Sequence, residues 1–270
     1  MSFSIISDIG CDIPNALVTN DDVNIINQSI MIDGAPELIN IKSPLALSDF
    51  YQRITKVKYL KTGALLYDTA NAFISKTARS NDILCFSFSQ RLSATGMNME
   101  KACLDCDKLT ENKIYYINTH SASIGQGLLI YKAIKLRREG KKLEEVIPII
   151  EIYADHIKMF VALDVNNNFN LGGRAENIAH SDKYPLLFLP KDGLYQTVGY
   201  FTNRTHQLKF LSEYVKKHKQ DIAFVGHGSN QAEAASFAND IGQSADYCCF
   251  ANPVMGVHTG DNAILVAYIE

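Results

Sequence analysis

Apolar and polar positions along the chain follow two periods. Short continuous apolar runs bounded by Gly, Pro, Asp and Ser have the length of buried strands, and between them lie longer stretches with helical spacing. Phe3 to Ser7 predicts a first buried strand, followed by an Asp-Gly loop and Pro14 in the first turn of a helix. Asp8 and Asp12 are expected to fix that loop by capping this helix. Residues 23–32 predict a second strand, and Ser43-Pro44 opens another helix. Next come a strand at Ile83-Leu84-Cys85-Phe86, a helix over 94–109, a strand over 114–117 and a long helix over 121–138 closed by Gly140. A helix over 143–156 ends this half, and the β-α rhythm predicts a largely parallel sheet flanked by helices.

The second half has a different pattern. A strand at 159–163 leads into the polar stretch 164–170 and then Leu171-Gly172-Gly173-Arg174. Apolar runs at 184–190 and 194–201 flank Lys191-Asp192-Gly193, a hairpin signal by its Asp-Gly. A helix over 204–217, a strand over 222–225 ending in Gly226-His227-Gly228, a helix over 231–241 and strands at 247–250 and 263–269 follow. The reading is α/β throughout: two α/β domains, 1–155 with a largely parallel sheet and 156–270 with a mixed sheet, joined without a flexible linker. The segment near 60–77 is expected to pack with the C-terminal domain.

Composition changes this picture little. With 270 residues, 47% hydrophobic and 20% charged, the chain can bury an ample core. A net charge of −3 argues against a broad nucleic-acid surface. There is no signal-type N-terminus and no apolar run near the roughly 18 residues of a membrane span, so a cytoplasmic location is expected. Cys103 and Cys106 have redox or zinc spacing, yet they fall on one face of a predicted helix, where thiols serve as small core residues. No metal and no cofactor are expected.

Candidate chemistry is concentrated in three pieces: Leu92-Ser93-Ala94-Thr95, the run Asn118 to Gly127, and Gly256-Val257-His258-Thr259-Gly260. Each sets hydroxyl residues, and in two cases a histidine, beside glycine or alanine at the end of an apolar run. Small residues let backbone N–H groups approach a ligand, while hydroxyls and imidazole add side-chain hydrogen bonds. Together they suit a small anion. No Gly-x-Ser-x-Gly elbow, complete dinucleotide loop or Gly-Lys-Ser/Thr phosphate loop accompanies them, so holding a ligand is favoured over transforming it. The simpler roles are a helix N-cap for Ser93, a structural turn or core-edge position for His120, and a strand-end loop or a domain junction for His227. The alternative function is a small-molecule hydrolase or transferase working through Ser93 and His258.

In order along the chain, these motifs resemble the DegV family. Ser7-Asp8-Ile9-Gly10-Cys11-Asp12 resembles its opening Asp-Ser-x-x-Asp loop, and Lys61-Thr62-Gly63 its Thr-Thr-Ser segment. Leu92-Ser93-Ala94-Thr95 is similar to Leu-Ser-Gly-Thr, and Asn118 to Gly127 to Asp-Ser-x-Ser-x-Ser-x-Gly-x-Gly. Gly172-Gly173-Arg174 matches Gly-Gly-Arg, and Gly256 to Gly260 resembles Gly-x-His-x-Gly, with Asp261 in place of a common proline. The resemblance implies a non-catalytic lipid-binding protein that holds one long-chain fatty acid, its carboxylate at the domain junction and its tail in an apolar tunnel. It implies carboxylate binding by Thr62, Ser93 and His258, assisted by backbone N–H groups of Gly63 and Ala94. It further implies a fatty acid kinase as partner in acyl-phosphate formation for phospholipid metabolism. Arg174 would serve kinase docking or phosphoryl transfer, and transient contact with a membrane surface is compatible with such a role.

Overall fold

The first apolar run forms strand β1 (Ser4–Asp8) in a computed structural model that describes residues 3–165, 175, 183–191 and 193–270. β1 is flanked by β2 (Asn24–Ile26) and β6 (Ile83–Ser87), and β7 (Ile114–Asn118) completes a four-stranded, all-parallel sheet ordered β2-β1-β6-β7. The strand order reverses between β1 and β6. The crevice beyond the carboxyl ends of two such strands is where open α/β sheets bind ligands. One face of this sheet carries α2 (Tyr67–Ala78) and α3 (Ala94–Asp107), packed through Ile74, Met99, Cys103 and Cys106 onto Ile6 and Cys85. The two cysteines of the CxxC spacing are thus core residues.

The second half forms a mixed six-stranded sheet ordered β10-β9-β8-β13-β11-β12. Its strands are β8 (Ile157–Ala162), β9 (Tyr184–Leu189), β10 (Gln196–Phe201), β11 (Ala223–His227), β12 (Cys248–Phe250) and β13 (Ile264–Ile269). Neighbours are antiparallel except β11 and β12, and β9-β10 is the hairpin expected at the Asp-Gly signal. α6 (Arg204–His218) and α7 (Gln231–Asp240) cover its outer face through Leu211, Val215 and Phe237.

Between the sheets lie α4 (Ser123–Arg138) and α5 (Leu143–His156). α4 touches strands of both sheets, and Ile124, Leu128, Leu129 and Ile130 are fully buried. A helix buried on several sides shows little amphipathic contrast. One continuous apolar cluster therefore runs from Ile5 and Leu84 of the first sheet to Val161 and Leu265 of the second.

Three expectations need correction. Residues 23–32 do not form one strand: the chain leaves the parallel sheet after Ile26 and enters a separate antiparallel sheet at β3 (Ile30–Ile32), between β4 (Ala35–Glu37) and β5 (Leu60–Thr62). Asp33 and Gly34, with φ of 47° and 88°, make the β3-β4 turn. Pro14 opens only a turn, Leu17 N–H donating to its carbonyl at 2.9 Å, so Asp8 and Asp12 cap no helix there. Finally, Gly256 to Thr259 lie in a short helix, α8 (Pro253–Thr259), which packs on α1 (Pro44–Ile54) and β5. Within the segment near 60–77, β5 touches α8, whereas α2 packs on α3.

Candidate ligand-binding site

Ser93 sits beyond the carboxyl end of β6, where Leu92 and Ser93 N–H both donate to Ser89 O and turn the chain into α3. It is the N-cap of α3, its hydroxyl accepting from Thr95 N at 3.2 Å and donating to Thr95 Oγ1 at 3.0 Å. Thr95 Oγ1 in turn accepts from Leu65 N at 3.0 Å, joining α3 to the segment after β5.

Thr62 ends β5, and its Oγ1 lies 3.3 Å from Nε2 of His258. His258 is 8% exposed and occupies the last turn of α8. That helix is tightly seated: a Cβ on Gly256 would stand 2.8 Å from Tyr51 Oη and 2.8 Å from the Phe50 ring. Tyr51 Oη donates to Ala251 O at 2.9 Å, and Asn252 caps the helix by accepting from Met255 N at 3.1 Å.

Thr62, Gly63, Ser93 and His258 line one small cavity of about 30 Å³. That is room for about one water, the scale of a carboxylate head rather than a chain. Ala94 is exposed and does not line it, and Arg174 lies outside the described residues. The remaining walls are Phe88, Leu92, Tyr195, Val254 and Met255 on the apolar side, with Gln28 and Thr95 on the polar side. Gln28 escaped the sequence reading because a polar residue after a short strand carries no local signal. Its Nε2 donates to Gly63 O at 3.0 Å, while its buried Oε1 has no hydrogen-bond partner among the described residues. A half-turn of this amide exchanges donor and acceptor at the cavity wall.

Behind the cavity, two carboxyl groups fix the loop after β1. Asp8 accepts from Gly10 N at 2.6 Å and from Phe88 N at 2.9 Å, bridging the loops beyond β1 and β6. Asp12 accepts from Ser123 Oγ, and from Asn252 Nδ2 at 2.9 Å. Burial pushes the Asp8 carboxyl up to about 6 and that of Asp12 up to about 7, against the opposing pull of these hydrogen bonds. Ser123 and His120 both take left-handed backbone, with φ of 51° and 50°. His120 Nδ1 lies 3.2 Å from Lys191 O, linking loops of the two sheets in the turn role expected of it.

This geometry does not present an activated nucleophile. The Ser93 hydroxyl hydrogen is directed to Thr95 Oγ1, not to an imidazole. What the site offers is a set of hydroxyl and imidazole hydrogen-bonding groups at a sheet switch point, backed by apolar side chains.

A family profile described as uncharacterised protein, DegV family, matches residues 2–270. The chain belongs to the DegV family. It is 24% identical over 285 residues to a DegV domain-containing protein of Clostridium perfringens, covering 99% of this chain and 97% of that one. Its fold matches a fatty acid binding DegV family protein of Streptococcus agalactiae with a TM-score of 0.82 at 19% identity, over 99% of this chain and 98% of the other. A stearic acid-binding protein of Eubacterium ventriosum matches with a TM-score of 0.82 at 20% identity and the same coverage. The two-sheet architecture is therefore a DegV fold.

Proposed function

We propose that this DegV protein binds a long-chain fatty acid without transforming it, with the carboxylate in the cavity between Thr62, Ser93 and His258. The observation that carries the reading is the meeting of these three side chains, from β5, the α3 N-cap and α8, around one head-group-sized cavity. A carboxylate leaving water must regain hydrogen bonds, or burial costs several kcal/mol. Thr62 and Ser93 can each turn a hydroxyl toward it, His258 supplies an imidazole N–H, and the backbone N–H of Gly63 assists. Phe88, Leu92, Val254 and Met255 form the apolar side on which the tail begins. Each buried CH₂ contributes about 0.8 kcal/mol, so the tail supplies most of the affinity and the head group sets orientation. Relatives of the same fold described as fatty acid and stearic acid binding support the assignment.

In this reading the chain divides into domains 1–155 and 156–270 with the carboxylate at their junction, and it acts in the cytoplasm. Among the described residues no helix is long and apolar enough to cross a membrane. The bound acid is presented to a fatty acid kinase, with Arg174 at the kinase contact or the transferred phosphoryl group. Native mass spectrometry of the purified protein tests acyl binding. A co-purifying C14–C18 acid, with thermal stabilisation of delipidated protein by palmitate or oleate, is the expected result. The absence of both a co-purifying lipid and any stabilisation overturns it.

A further inference from the structure

A groove of about 650 Å³ opens apart from the Thr62–His258 cavity and shares no lining residue with it. Its volume falls within the roughly 300–1,000 Å³ of small-molecule sites. Ile13, Val18, Val23 and Ile25 from the start of the chain line it together with Leu47 of α1 and Phe250 of β12.

The deep polar group is His227, at the end of β11 and only 2% exposed. Its Nδ1 lies 2.8 Å from Gly228 O. A carbonyl only accepts, so Nδ1 carries the hydrogen and Nε2 presents a lone pair. Burial pushes the imidazole pKa down, which keeps the ring neutral, and the Phe250 ring lies 4.5 Å from it. Among the described residues Nε2 makes no hydrogen bond, although His227 is almost wholly enclosed and lines the groove. The other deep polar groups offer nothing to an anion. Asp12 Oδ2 is already engaged by Ser123 and Asn252, and burial pushes the thiols of Cys11 and Cys249 up. Lys42, the one Lys or Arg of the lining, stands on the exposed rim. An anionic head group reaching the floor would lose its hydration against a carboxyl and two thiols. A neutral group with one hydrogen to donate would find an acceptor.

We infer that this groove is a second ligand site, taking an uncharged amphiphile whose hydroxyl or N–H donates to His227 Nε2 while its alkyl body lies along Val18, Val23 and Ile25. The probes are 1-octanol and sodium octanoate, titrated calorimetrically into the full chain at pH 7.5. 1-Octanol should saturate one site per chain, with octanoate at least tenfold weaker. His227→Phe, which keeps an aromatic ring and removes the acceptor, should weaken 1-octanol at least tenfold. Val18→Trp, at a half-buried wall position, should do the same by filling the groove and does not depend on the His227 variant folding. Neither residue lines the Thr62–His258 cavity, so the response to palmitate, whatever it is in the parent protein, should be unchanged in both. No saturable 1-octanol binding, equal binding of octanoate, or undiminished binding in either variant overturns the assignment.

Discussion

Asn252 and Asp12 are 240 residues apart in sequence and joined by a 2.9 Å hydrogen bond from Nδ2 to Oδ2. The other end of the same amide accepts from Met255 N and caps α8. A buried carboxyl in the loop after β1 therefore anchors the helix that carries His258. Asp12 also accepts from Ser123 Oγ, while Asp12 N donates to Ser123 O at 3.1 Å and Ser123 N donates to Gly10 O at 2.7 Å. The first loop, the start of α4 and the start of α8 meet at one carboxyl group.

Asn252→Ala removes a cap and leaves the Asp12 carboxyl with one donor fewer. We expect a loss of about 1–3 kcal/mol in unfolding free energy, from the cap and the unsatisfied buried acceptor together. Acyl affinity should fall beyond what Ser43→Ala causes, because Ser43 caps α1 and does not line the cavity. Urea denaturation together with a fatty acid titration checks both. Equal affinity in the two variants would separate α8 anchoring from ligand binding.

The raised carboxyls of Asp8 and Asp12 set a direction for pH dependence. A carboxyl whose folded value lies above its unfolded value, about 3.9, binds protons more tightly when folded, so folding is favoured at low pH and loses that contribution as pH rises to the folded value. For Asp12, with a folded value of about 7, the loss between pH 5 and pH 8 should be about 2–3 kcal/mol. Asp8 adds a smaller decline that is complete nearer pH 6. The Tyr51, Cys11 and Cys249 groups near Asp12 are pushed up and stay neutral across this range, so they do not mask the effect. Asp12→Asn should flatten the upper part of the curve, which denaturant midpoints from pH 5 to 8 will record.

For the head group, Ser93→Ala should weaken acyl binding by about 1.5–3 kcal/mol, the range for a hydrogen bond to a charged partner. The fold should lose only about 1 kcal/mol through the missing cap. Thr62→Val keeps the shape of the side chain and removes the hydroxyl 3.3 Å from His258, so it should lower affinity by a similar amount with less effect on stability. Calorimetry with palmitate distinguishes these from variants with no role at the cavity.

Under the proposed function, Arg174, preceded by two glycines in the sequence, serves hand-over and not carboxylate binding. Arg174→Ala should leave palmitate affinity within about twofold and reduce acyl-phosphate formation with a cognate kinase at least tenfold, since it removes a guanidinium available to the phosphoryl group or the partner. Equal loss in both assays would move Arg174 into the carboxylate site.

Much of the layered architecture is legible because its strands are continuous apolar runs and its helices are long. β1 and β6 lie in the interior of the first sheet, which removes the polar alternation and leaves unbroken runs such as Ile83-Leu84-Cys85-Phe86, whereas β7 is an edge strand with Tyr115 exposed. β3, β4 and β5 are three residues each with mixed burial, too short for a period to register. α8 is equally opaque: it has seven residues, all buried, so no polar face marks it as a helix. The site divides in the same way. Thr62, Gly63, Ser93 and His258 stand in small-residue motifs, whereas Gln28 and Tyr195 reach the cavity only through tertiary packing.

Gly63, which lines the cavity, and Gly256 of α8 should respond differently to a methyl group. A Cβ on Gly63 would meet nothing within 4 Å, and Gly63 is exposed. Gly63→Ala should therefore leave stability within about 0.5 kcal/mol, in line with ordinary surface substitutions, and leave palmitate binding intact. Gly256 is different, because its Cβ would stand 2.8 Å from both Tyr51 Oη and the Phe50 ring, two side chains that are fully buried. Neither ring can retreat freely: Tyr51 Oη is held by Ala251 O at 2.9 Å, and the two rings pack edge-on at 5.1 Å. α8 must move instead, carrying His258 away from Thr62. Overpacking of this kind costs about 1–3 kcal/mol. Gly256→Ala should lower stability by that amount and weaken palmitate binding more than Gly63→Ala does, as thermal unfolding and calorimetry will show. If Gly256→Ala bound palmitate as the parent does, the seating of α8 would not control the position of His258.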